Sequence, residues 1–274
     1  MADPLWRQIA EGLRQKIESG ELGADGGPLP TELELQAEYQ ASRNTIRDAI
    51  KWLVTRNLVY TRSGQGTFVT PKIDPFVTRL LPAGQHTADE SAAFAYEVLN
   101  RRRTPKVYDP RVEILQAAGL PAEELDLAAD ATVISRHQRR SIDGVPYSRQ
   151  TTFYPMWLLE RGASRLISAE NIAGGAVHYI ETELGLNEVG WRDRITARLP
   201  DADEAAFFGL PDDGRIAVFE IIRTGFDQTG QPFRVTVTTY PADRNQFVMV
   251  SGKVPDDALE HQATEKTDPQ KLQQ

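Results

Sequence analysis

Apolar residues recur at every third or fourth position in three stretches near the start of the chain, a spacing that predicts helices with one face toward a core. In the first stretch these residues are Leu5, Ile9, Leu13 and Ile17. Thr31 and Glu34 match a capping box, so a second helix is predicted to begin there and to run to about residue 39. Ser42 is predicted to cap a third helix, whose apolar face is made of Ile46, Ala49, Ile50 and Leu53.

The pattern changes from helix to short strands after the third helix. Asn57 can end that helix in a left-handed turn. Residues 58–61 and 67–70 favour an extended conformation, and the segment between them contains Gly64 and Gly66. Because glycine has no Cβ, the tip of this hairpin can come close to a binding partner. Three helices followed by a glycine-tipped hairpin indicate a winged helix-turn-helix.

The second half of the chain repeats one pattern twice. Residues 133–155 and 216–241 each contain a strand, an Asp/Gly turn, a second strand and a Tyr-Pro pair, so two β-hairpins of similar length are predicted. Helices are predicted at 173–184 and 203–210, with an extended segment at 191–199. The result is an antiparallel sheet with helices packed on it, and the fold class of the whole chain is α+β.

Proline and glycine are dense around residues 71–75 and 81–86, which indicates a linker with one turn of structure at 76–81. The end of the chain is polar with almost no large apolar residues, so it is predicted to be disordered. The predicted organisation is a winged helix-turn-helix at 1–70, a linker at 71–88, a second domain at 89–250 and a tail at 251–274.

Charge is distributed unevenly along the sequence. The whole chain has 31 lysines and arginines against 39 aspartates and glutamates, yet residues 40–72 carry six basic side chains and one acid. Arg43, Arg47 and Lys51 are spaced four apart on the third helix, away from its apolar face. A basic surface inside an acidic protein fits an anionic partner, and this spacing fits a DNA duplex.

The first domain resembles the DNA-binding domain of GntR-type bacterial transcription regulators. The family pattern is roughly L-P-S-E-R-E-L, then S-R-x-T-V-R-x-A-L, then a wing with G-x-G-T-F/Y-V. This chain has LPTELEL at 29–35, SRNTIRDAI at 42–50 and GQGTFV at 64–69. One position departs from the pattern, because Leu33 stands where the family usually has an arginine near the phosphate backbone.

The amino end of the third helix is the part that enters the major groove first in this fold. Arg43 and Arg47 can each fork onto a guanine edge, although the alternative for both is an ordinary solvated helix face. The residues predicted to contact DNA are Thr31, Ser42, Arg43, Asn44, Thr45, Arg47, Lys51, Arg62, Gly64, Gln65 and Gly66.

The second domain resembles the UTRA effector domain, which follows the DNA-binding motif in the HutC-type branch of the GntR family. The clearest similarities are DGVP at 143–146, GQP at 230–232 and YPADR at 240–244. The resemblance implies a small-molecule effector bound in this domain and a homodimer that reads a palindromic operator in double-stranded DNA. It also implies a fold similar to chorismate lyase, from which no catalysis follows.

The same resemblance suggests where the effector binds. In members that sense sugar phosphates, two arginines alternate on the strand before the first turn, and these positions are Gln138 and Arg140 here. Arg136 shares their face of the strand. The family's two acidic positions fall on Gln150 and Arg234. Three arginines converging without an acid would repel one another, so the predicted effector bears a carboxylate or phosphate rather than a free amine.

Two tyrosines complete the predicted pocket. Tyr240 matches a pocket tyrosine of the family, and Tyr179 lies on the intervening predicted helix. The alternative for Tyr240, and for Tyr154, is a place in the core of the domain. The alternative for Arg140, Gln150 and Arg234 is an ordinary strand position facing solvent.

Other chemistry is not indicated. The chain has no cysteine, and its four histidines lack paired ligand spacing, so neither a metal site nor a cofactor is predicted. No nucleotide-binding loop or nucleophile elbow is present, and no catalytic residue is predicted. No apolar run approaches the ~18 residues that span a bilayer, which predicts a cytoplasmic protein without membrane contact.

The sequence therefore predicts a DNA-binding repressor controlled by a small-molecule effector. Two alternatives stay open. One is a lyase-like enzyme tethered to DNA, and the other is a constitutive DNA-binding dimer without an effector.

Overall fold

The computed structural model describes residues 3–23, 26–62, 64–70, 75–80, 90–128, 130–211, 214, 216–250 and 254–255. The chain divides into two compact units, Met1–Asp74 and Pro75–Gln274. Each unit has a hydrophobic core of its own. No helix among the described residues is long and apolar enough to cross a membrane.

The first unit has three helices and a two-stranded antiparallel wing. These elements are α1 (Leu5–Glu18), α2 (Glu32–Tyr39), α3 (Arg43–Thr55), β1 (Val59–Arg62) and β2 (Gly66–Val69). Both predicted helix starts are confirmed: Thr31 and Glu34 form a capping box on α2, and the Ser42 hydroxyl accepts from the Thr45 N–H. Asn57 has a φ of 54°, which ends α3 in the left-handed turn expected of it.

The core of the first unit is built from the predicted apolar faces of α1 and α3. Its fully or almost fully buried members on these helices are Ile9, Ala10, Leu13, Ile17, Ile46, Ala49, Ile50 and Leu53. Leu5 is the exception, with 51% of its surface exposed. Leu5 is the first residue of α1, and a side chain at a helix end projects beyond the neighbours that bury the middle of the helix.

The second unit is a sheet of seven strands joined by antiparallel pairs, with helices packed on it. The seven strands of this sheet are β4 (Pro105–Val107), β5 (Arg111–Gln116), β6 (Thr132–Ile142), β7 (Val145–Pro155), β8 (Glu188–Arg198), β9 (Val218–Asp227) and β10 (Pro232–Pro241). A separate parallel pair consists of β3 (Phe76–Leu80) and β11 (Asn245–Met249). Its helices are α4 (Glu90–Asn100), α5 (Leu120–Glu124), α6 (Trp157–Glu160), α7 (Gly175–Leu184) and α8 (Ala202–Phe208). The order in the large sheet is β4-β6-β7-β10-β9-β8, with β5 also on β6.

The two predicted hairpins form the centre of this sheet. They are β6–β7 and β9–β10, and β7 pairs with β10 between them. The turn of the first hairpin has φ values of 52° at Asp143 and 79° at Gly144, the conformation that favours an Asp-Gly pair. The predicted helices at 173–184 and 203–210 correspond to α7 and α8, and the extended segment at 191–199 to β8.

The prediction of a linker was wrong for residues 76–80. These residues form β3, which pairs in parallel with β11, and Phe76 is buried in the second unit. The two strands are far apart in the sequence, and a local pattern cannot show a pairing of that kind. The remainder of the predicted linker and tail lies outside the described residues, apart from Pro75 and residues 254–255.

Candidate nucleic-acid interface and ligand cavity

The start of α3 presents two basic side chains to solvent. The side chains of Arg43 and Arg47 are 71% and 64% exposed. Both arginines contact the carboxylate of Glu32, which is the first residue of α2. The Nε of Arg43 lies 3.1 Å from one oxygen and the Nε of Arg47 lies 3.7 Å from the other. Sequence reasoning had not included Glu32 in this surface, because its position says nothing about which basic residues it would reach.

The other residues predicted to contact DNA also lie at or near the surface of the first unit. Those that are exposed are Thr31, Ser42, Asn44, Lys51, Arg62, Gly64, Gln65 and Gly66. Thr45 is half-buried, and its hydroxyl lies 2.8 Å from the Ser42 hydroxyl. Ser42 and Thr31 both act as helix caps in the free protein, so each already has a hydrogen-bond partner.

Arg62 projects from the wing against two aromatic rings. Its guanidinium carbon lies 5.3 Å from the ring centre of Tyr60 and 5.0 Å from that of Phe68, distances at which a cation is attracted to a ring face. Gly64 and Gly66 have φ values of 70° and 110°, which other residues rarely adopt. A wing with a fixed cation and a tight, open tip can approach a phosphate or a groove.

The second unit contains a cavity of about 360 Å³ over the sheet face formed by β6, β7 and β10. A cavity of this size holds a small molecule. Five of the seven predicted effector residues line it, together with Tyr154 and the first residues of α7. The five are Arg136, Gln138, Arg140, Gln150 and Arg234.

Arg136 serves mainly to hold a neighbouring loop. Its guanidinium donates hydrogen bonds to backbone carbonyls of residues 165, 166, 168 and 170, at 2.7 to 3.4 Å. The side chain is buried, and this burial lowers the pKa of the Arg136 guanidinium. Most of its donors are therefore already used by the protein.

The expectation that the cavity arginines lack an acid is wrong. Glu188, at the start of β8, forms a two-point ion pair with Arg234, with distances of 2.5 Å to Nε and 3.0 Å to Nη2. Both side chains are almost completely buried. The sequence pattern placed the extended segment from residue 191 onward, so Glu188 was not considered as part of the sheet. The positive charge of Arg234 is therefore balanced within the protein.

Arg140 has the least complete set of partners of the three arginines. Its side chain is buried, its Nη2 donates to Gln138 at 3.3 Å, and its guanidinium carbon lies 5.6 Å from the Phe94 ring centre. Its Nε is among the buried polar atoms that have no hydrogen-bond partner in the described part of the chain. A buried donor without a partner costs free energy unless something else binds it.

The amino end of α7 forms part of the same cavity. Gly174 caps this helix without a side-chain hydrogen bond, and residues 175–177 line the cavity. The first N–H groups of an α-helix have no partner inside the helix, and the helix dipole makes this end partly positive. The amino end of α7 and Arg140 thus bring positive potential to one cavity.

Amide side chains supply further polar groups to the cavity wall. Gln138 donates to the Asn171 side chain at 2.6 Å. Gln150 donates to the Thr152 hydroxyl at 3.3 Å, and Thr152 in turn lies 3.1 Å from the Thr236 hydroxyl. Asn171 was missed in the sequence because it lies in an irregular segment before α7. These groups can both donate to and accept from a polar ligand.

The two predicted pocket tyrosines do not line the cavity. Tyr179 is buried in the hydrophobic core, and its hydroxyl accepts from the backbone N–H of Arg165 at 3.1 Å. The Tyr240 ring packs edge-on against Tyr147 and Phe247. Helix periodicity and motif matching locate a residue along its element, but they do not show which neighbours fill the space around its ring. No group of three or more potential metal ligands occurs among the described residues.

A winged helix-turn-helix joined to a domain with a small polar cavity defines a regulatory protein that binds DNA and a ligand. Residues 5–69 match the family described as bacterial regulatory proteins, gntR family, and residues 101–246 match the UTRA domain. The chain belongs to the GntR family and carries a UTRA domain. Regulators of this family bind DNA through the first of these domains and effector ligands through the second.

Relatives support the same assignment along most of the chain. The HTH-type transcriptional regulator RB1450 of Rhizobium meliloti is 27% identical over 247 residues, which cover 89% of this chain and 93% of the relative. The HTH-type transcriptional repressor NagR of Bacillus subtilis is 23% identical over 246 residues, with coverage of 89% and 93%. The protein is therefore a DNA-binding transcriptional regulator of a family that consists of regulators and not of enzymes.

A solved structure shows that the fold is shared. The crystal structure of a GntR-family transcriptional regulator superposes with a TM-score of 0.66 at 23% identity, covering 92% of this chain and 99% of the other. The predicted α+β fold class, with an amino-terminal winged helix-turn-helix and a mostly antiparallel second domain, is confirmed.

Proposed function

We propose that this regulator is a repressor that binds a palindromic operator as a homodimer and releases it when an anionic small molecule enters the UTRA cavity. NagR, to which most of the chain is similar, is named a repressor. A protein with this role acts in the cytoplasm, where the bacterial chromosome lies.

The observation that carries the proposed effector class is the state of Arg140. Its guanidinium is buried in the cavity wall, its charge has no carboxylate partner among the described residues, and its Nε lacks a hydrogen-bond partner. A carboxylate or phosphate would supply both the charge and the acceptor. Arg136 and Arg234 contribute less, since the protein satisfies the first with carbonyls and the second with Glu188.

The surroundings of Arg140 narrow the class of possible ligands further. The amino end of α7, which has no side-chain cap, favours an anionic group, as helix amino ends do in phosphate-binding sites. Gln138 and Gln150 offer both donors and acceptors for hydroxyl groups. A cavity of about 360 Å³ holds a molecule the size of a small metabolite. The proposed effector is thus a small polar compound with one carboxylate or phosphate.

The proposed DNA contacts follow from the exposed end of α3. Arg43 and Arg47 are mostly exposed and can fork onto guanine, which is the commonest specific contact in the major groove. Lys51 and Arg62 are exposed cations that fit phosphates. Ser42, Asn44 and Thr45 lie at the helix end that enters the groove first.

The proposed dimer is supported by apolar side chains at an edge of the second unit. β8 is the last strand of the sheet, and it exposes 61% of Val189 and 43% of Ile195. Leu199, directly after the strand, is 64% exposed. A long edge strand with exposed apolar residues pairs readily with another chain. Two DNA-binding units would then contact two half-sites about one helical turn apart.

A thermal-shift screen tests the effector class. The full chain is heated with a panel of carboxylates and phosphorylated sugars and with neutral compounds of similar size, beside an Arg140→Ala variant. We expect at least one anion to raise the melting temperature of the wild type and not of the variant. If no compound in either class shifts the wild type, the result favours the competing function, in which the second domain is a constitutive dimerisation module.

A further inference from the structure

The carboxylate of Glu32 contacts both arginines at the start of the recognition helix α3. One oxygen lies 3.1 Å from the Nε of Arg43, and the other lies 3.7 Å from the Nε of Arg47. A single acid on α2 thus bridges two side chains that are one helical turn apart on α3. We propose that Glu32 is a positioning residue for DNA recognition, which orders Arg43 and Arg47 for contact with bases. The inference rests on the proposed role of these two arginines.

The atoms involved determine what the arginines can still do. In both pairs the atom nearest Glu32 is the Nε nitrogen, at the inner edge of the guanidinium: that of Arg43 donates a hydrogen bond, and that of Arg47 lies within ion-pair distance. Among the described residues, neither Nη1 nor Nη2 of either arginine donates a hydrogen bond to the protein. Those two nitrogens form the fork that donates to the O6 and N7 atoms of guanine. Glu32 therefore contacts each arginine at its inner Nε nitrogen and leaves the two outer nitrogens available to bases.

The position of Glu32 is itself fixed. It is the first residue of α2, directly after the capping box formed by Thr31 and Glu34. The same helix is anchored to the core by Leu35, which is fully buried. A carboxylate in the first turn of a helix is also favoured by the helix dipole. An acid on a fixed backbone position, facing two long, flexible side chains, reduces the number of conformations that those side chains must lose on binding.

The exposure of these pairs argues against a mainly stabilising role. The side chains of Glu32, Arg43 and Arg47 are 38%, 71% and 64% exposed, and ion pairs this accessible contribute little to folding. The effect of these ion pairs is therefore expected on DNA binding and not on folding stability. Ordering of the two arginines for contact with bases raises the ratio of specific to non-specific affinity.

The test compares Glu32→Gln with Glu38→Gln. Glu38 lies on the same short helix and pairs with Lys16, so the control removes one negative charge from this unit without touching α3. Affinity is measured at one salt concentration for a duplex selected by the wild type from a random-sequence pool, and for an unselected duplex. We expect Glu32→Gln to lower the ratio of the two affinities by about five-fold, as two surface pairs allow. Glu38→Gln should leave it within about two-fold, and neither should change the melting temperature appreciably.

Two further comparisons test whether the position of the carboxylate matters, and whether Glu32 acts through Arg43 and Arg47. Glu32→Asp keeps the charge but shortens the reach, so it should lower the ratio as Glu32→Gln does. In a chain that carries Arg43→Ala and Arg47→Ala, Glu32→Gln should have no further effect on the ratio. Equal effects of Glu32→Gln and Glu38→Gln, or a wild-type ratio in Glu32→Asp, would overturn the inference. If Arg43→Ala and Arg47→Ala alone leave the ratio unchanged, the proposed base contacts fail first, and the role of Glu32 fails with them.

Discussion

Glu188 and Arg234 form a two-point ion pair beside the ligand cavity, and their side chains are 2% and 3% exposed. Gly225, on β9, packs directly against this pair, and a Cβ at that position would collide with the Glu188 carboxylate and the Arg234 side chain. A buried ion pair adds little net stability, but removal of one partner leaves a buried charge without compensation. The pair therefore holds Arg234, which lines the cavity, in place as long as both residues are present.

This relationship predicts that replacing either Glu188 or Arg234 alone lowers the free energy of unfolding more than replacing both. Glu188→Met and Arg234→Met should each lower the free energy of unfolding by about 3–5 kcal/mol, whereas the two changes together should cost much less. Urea unfolding of the four full-length chains, followed in the second unit, measures this. Additive effects of the two single changes would show that the residues do not depend on each other.

Base recognition is tested by the basic residues of α3. Arg43→Ala and Arg47→Ala should each weaken binding to the selected duplex by about 1–3 kcal/mol and have little effect on unselected DNA. Lys51→Ala should weaken both alike and reduce the dependence on salt, as expected for a phosphate contact. Gel-shift titrations at two salt concentrations distinguish these patterns. Unchanged affinity for the selected duplex in both arginine variants would refute the proposed recognition surface.

Local sequence rules were sufficient for much of the fold. The capping box at Thr31 and Glu34, the Asn57 turn and the Asp143-Gly144 hairpin each depend on residues close together in the chain, and each is present. The candidate site was only partly predictable. Strand alternation placed Arg136, Gln138 and Arg140 on one wall of the cavity. It could not show which of these side chains would already have hydrogen-bond or ion-pair partners within the protein.

The missing information concerns contacts between distant segments. The Glu188 carboxylate reaches Arg234 across the intervening strand β9, and the Arg136 guanidinium binds carbonyls of residues 165–170. The pairing of β3 with β11 is equally non-local. Such contacts depend on how the elements pack, which periodicity and capping patterns do not contain. As a result, of the three arginines predicted to lack partners in the cavity, only Arg140 still lacks an acceptor for a buried guanidinium nitrogen among the described residues.

Assembly is tested by the exposed edge of the sheet. The full chain should be a dimer at micromolar concentration, and residues 1–75 alone should be mostly monomeric and bind the selected duplex far more weakly. Ile195→Glu places a charge on the exposed edge strand β8 and should shift the full chain toward the monomer. Val145→Glu, at an exposed apolar residue in the first hairpin, is the control. Light scattering measures the mass of each species in solution. A monomeric wild type would contradict the proposed dimer.

The Glu204 carboxylate predicts a specific loss of stability in acid. Burial raises its pKa, but hydrogen bonds from Arg198, the Asp201 N–H and Thr239 outweigh burial and lower it to about 2. Because the folded pKa lies below the ordinary value of 4.5, this stabilisation is complete above about 4.5 and is lost as the pH falls toward 2. Glu204→Gln should cost about 1–3 kcal/mol at pH 7.

The difference between wild type and Glu204→Gln should shrink as the pH is lowered from 5 toward 3. Thermal unfolding of both chains across this range measures it. A difference that stays constant with pH would mean that the charge of Glu204 is not the source of its effect.

Operator release by a bound anion tests the central claim most directly. Fluorescence anisotropy of the labelled selected duplex is followed while the compounds of the thermal-shift panel are added to wild type, Arg140→Ala and Arg139→Ala. Arg139 is the adjacent residue on β6, is exposed, and does not line the cavity, so it is a matched control. We predict that an anion releases DNA from the wild type and Arg139→Ala. Arg140→Ala should bind DNA as tightly as the wild type and fail to release it. Release by a neutral or cationic compound, with a normal response in Arg140→Ala, would contradict the account.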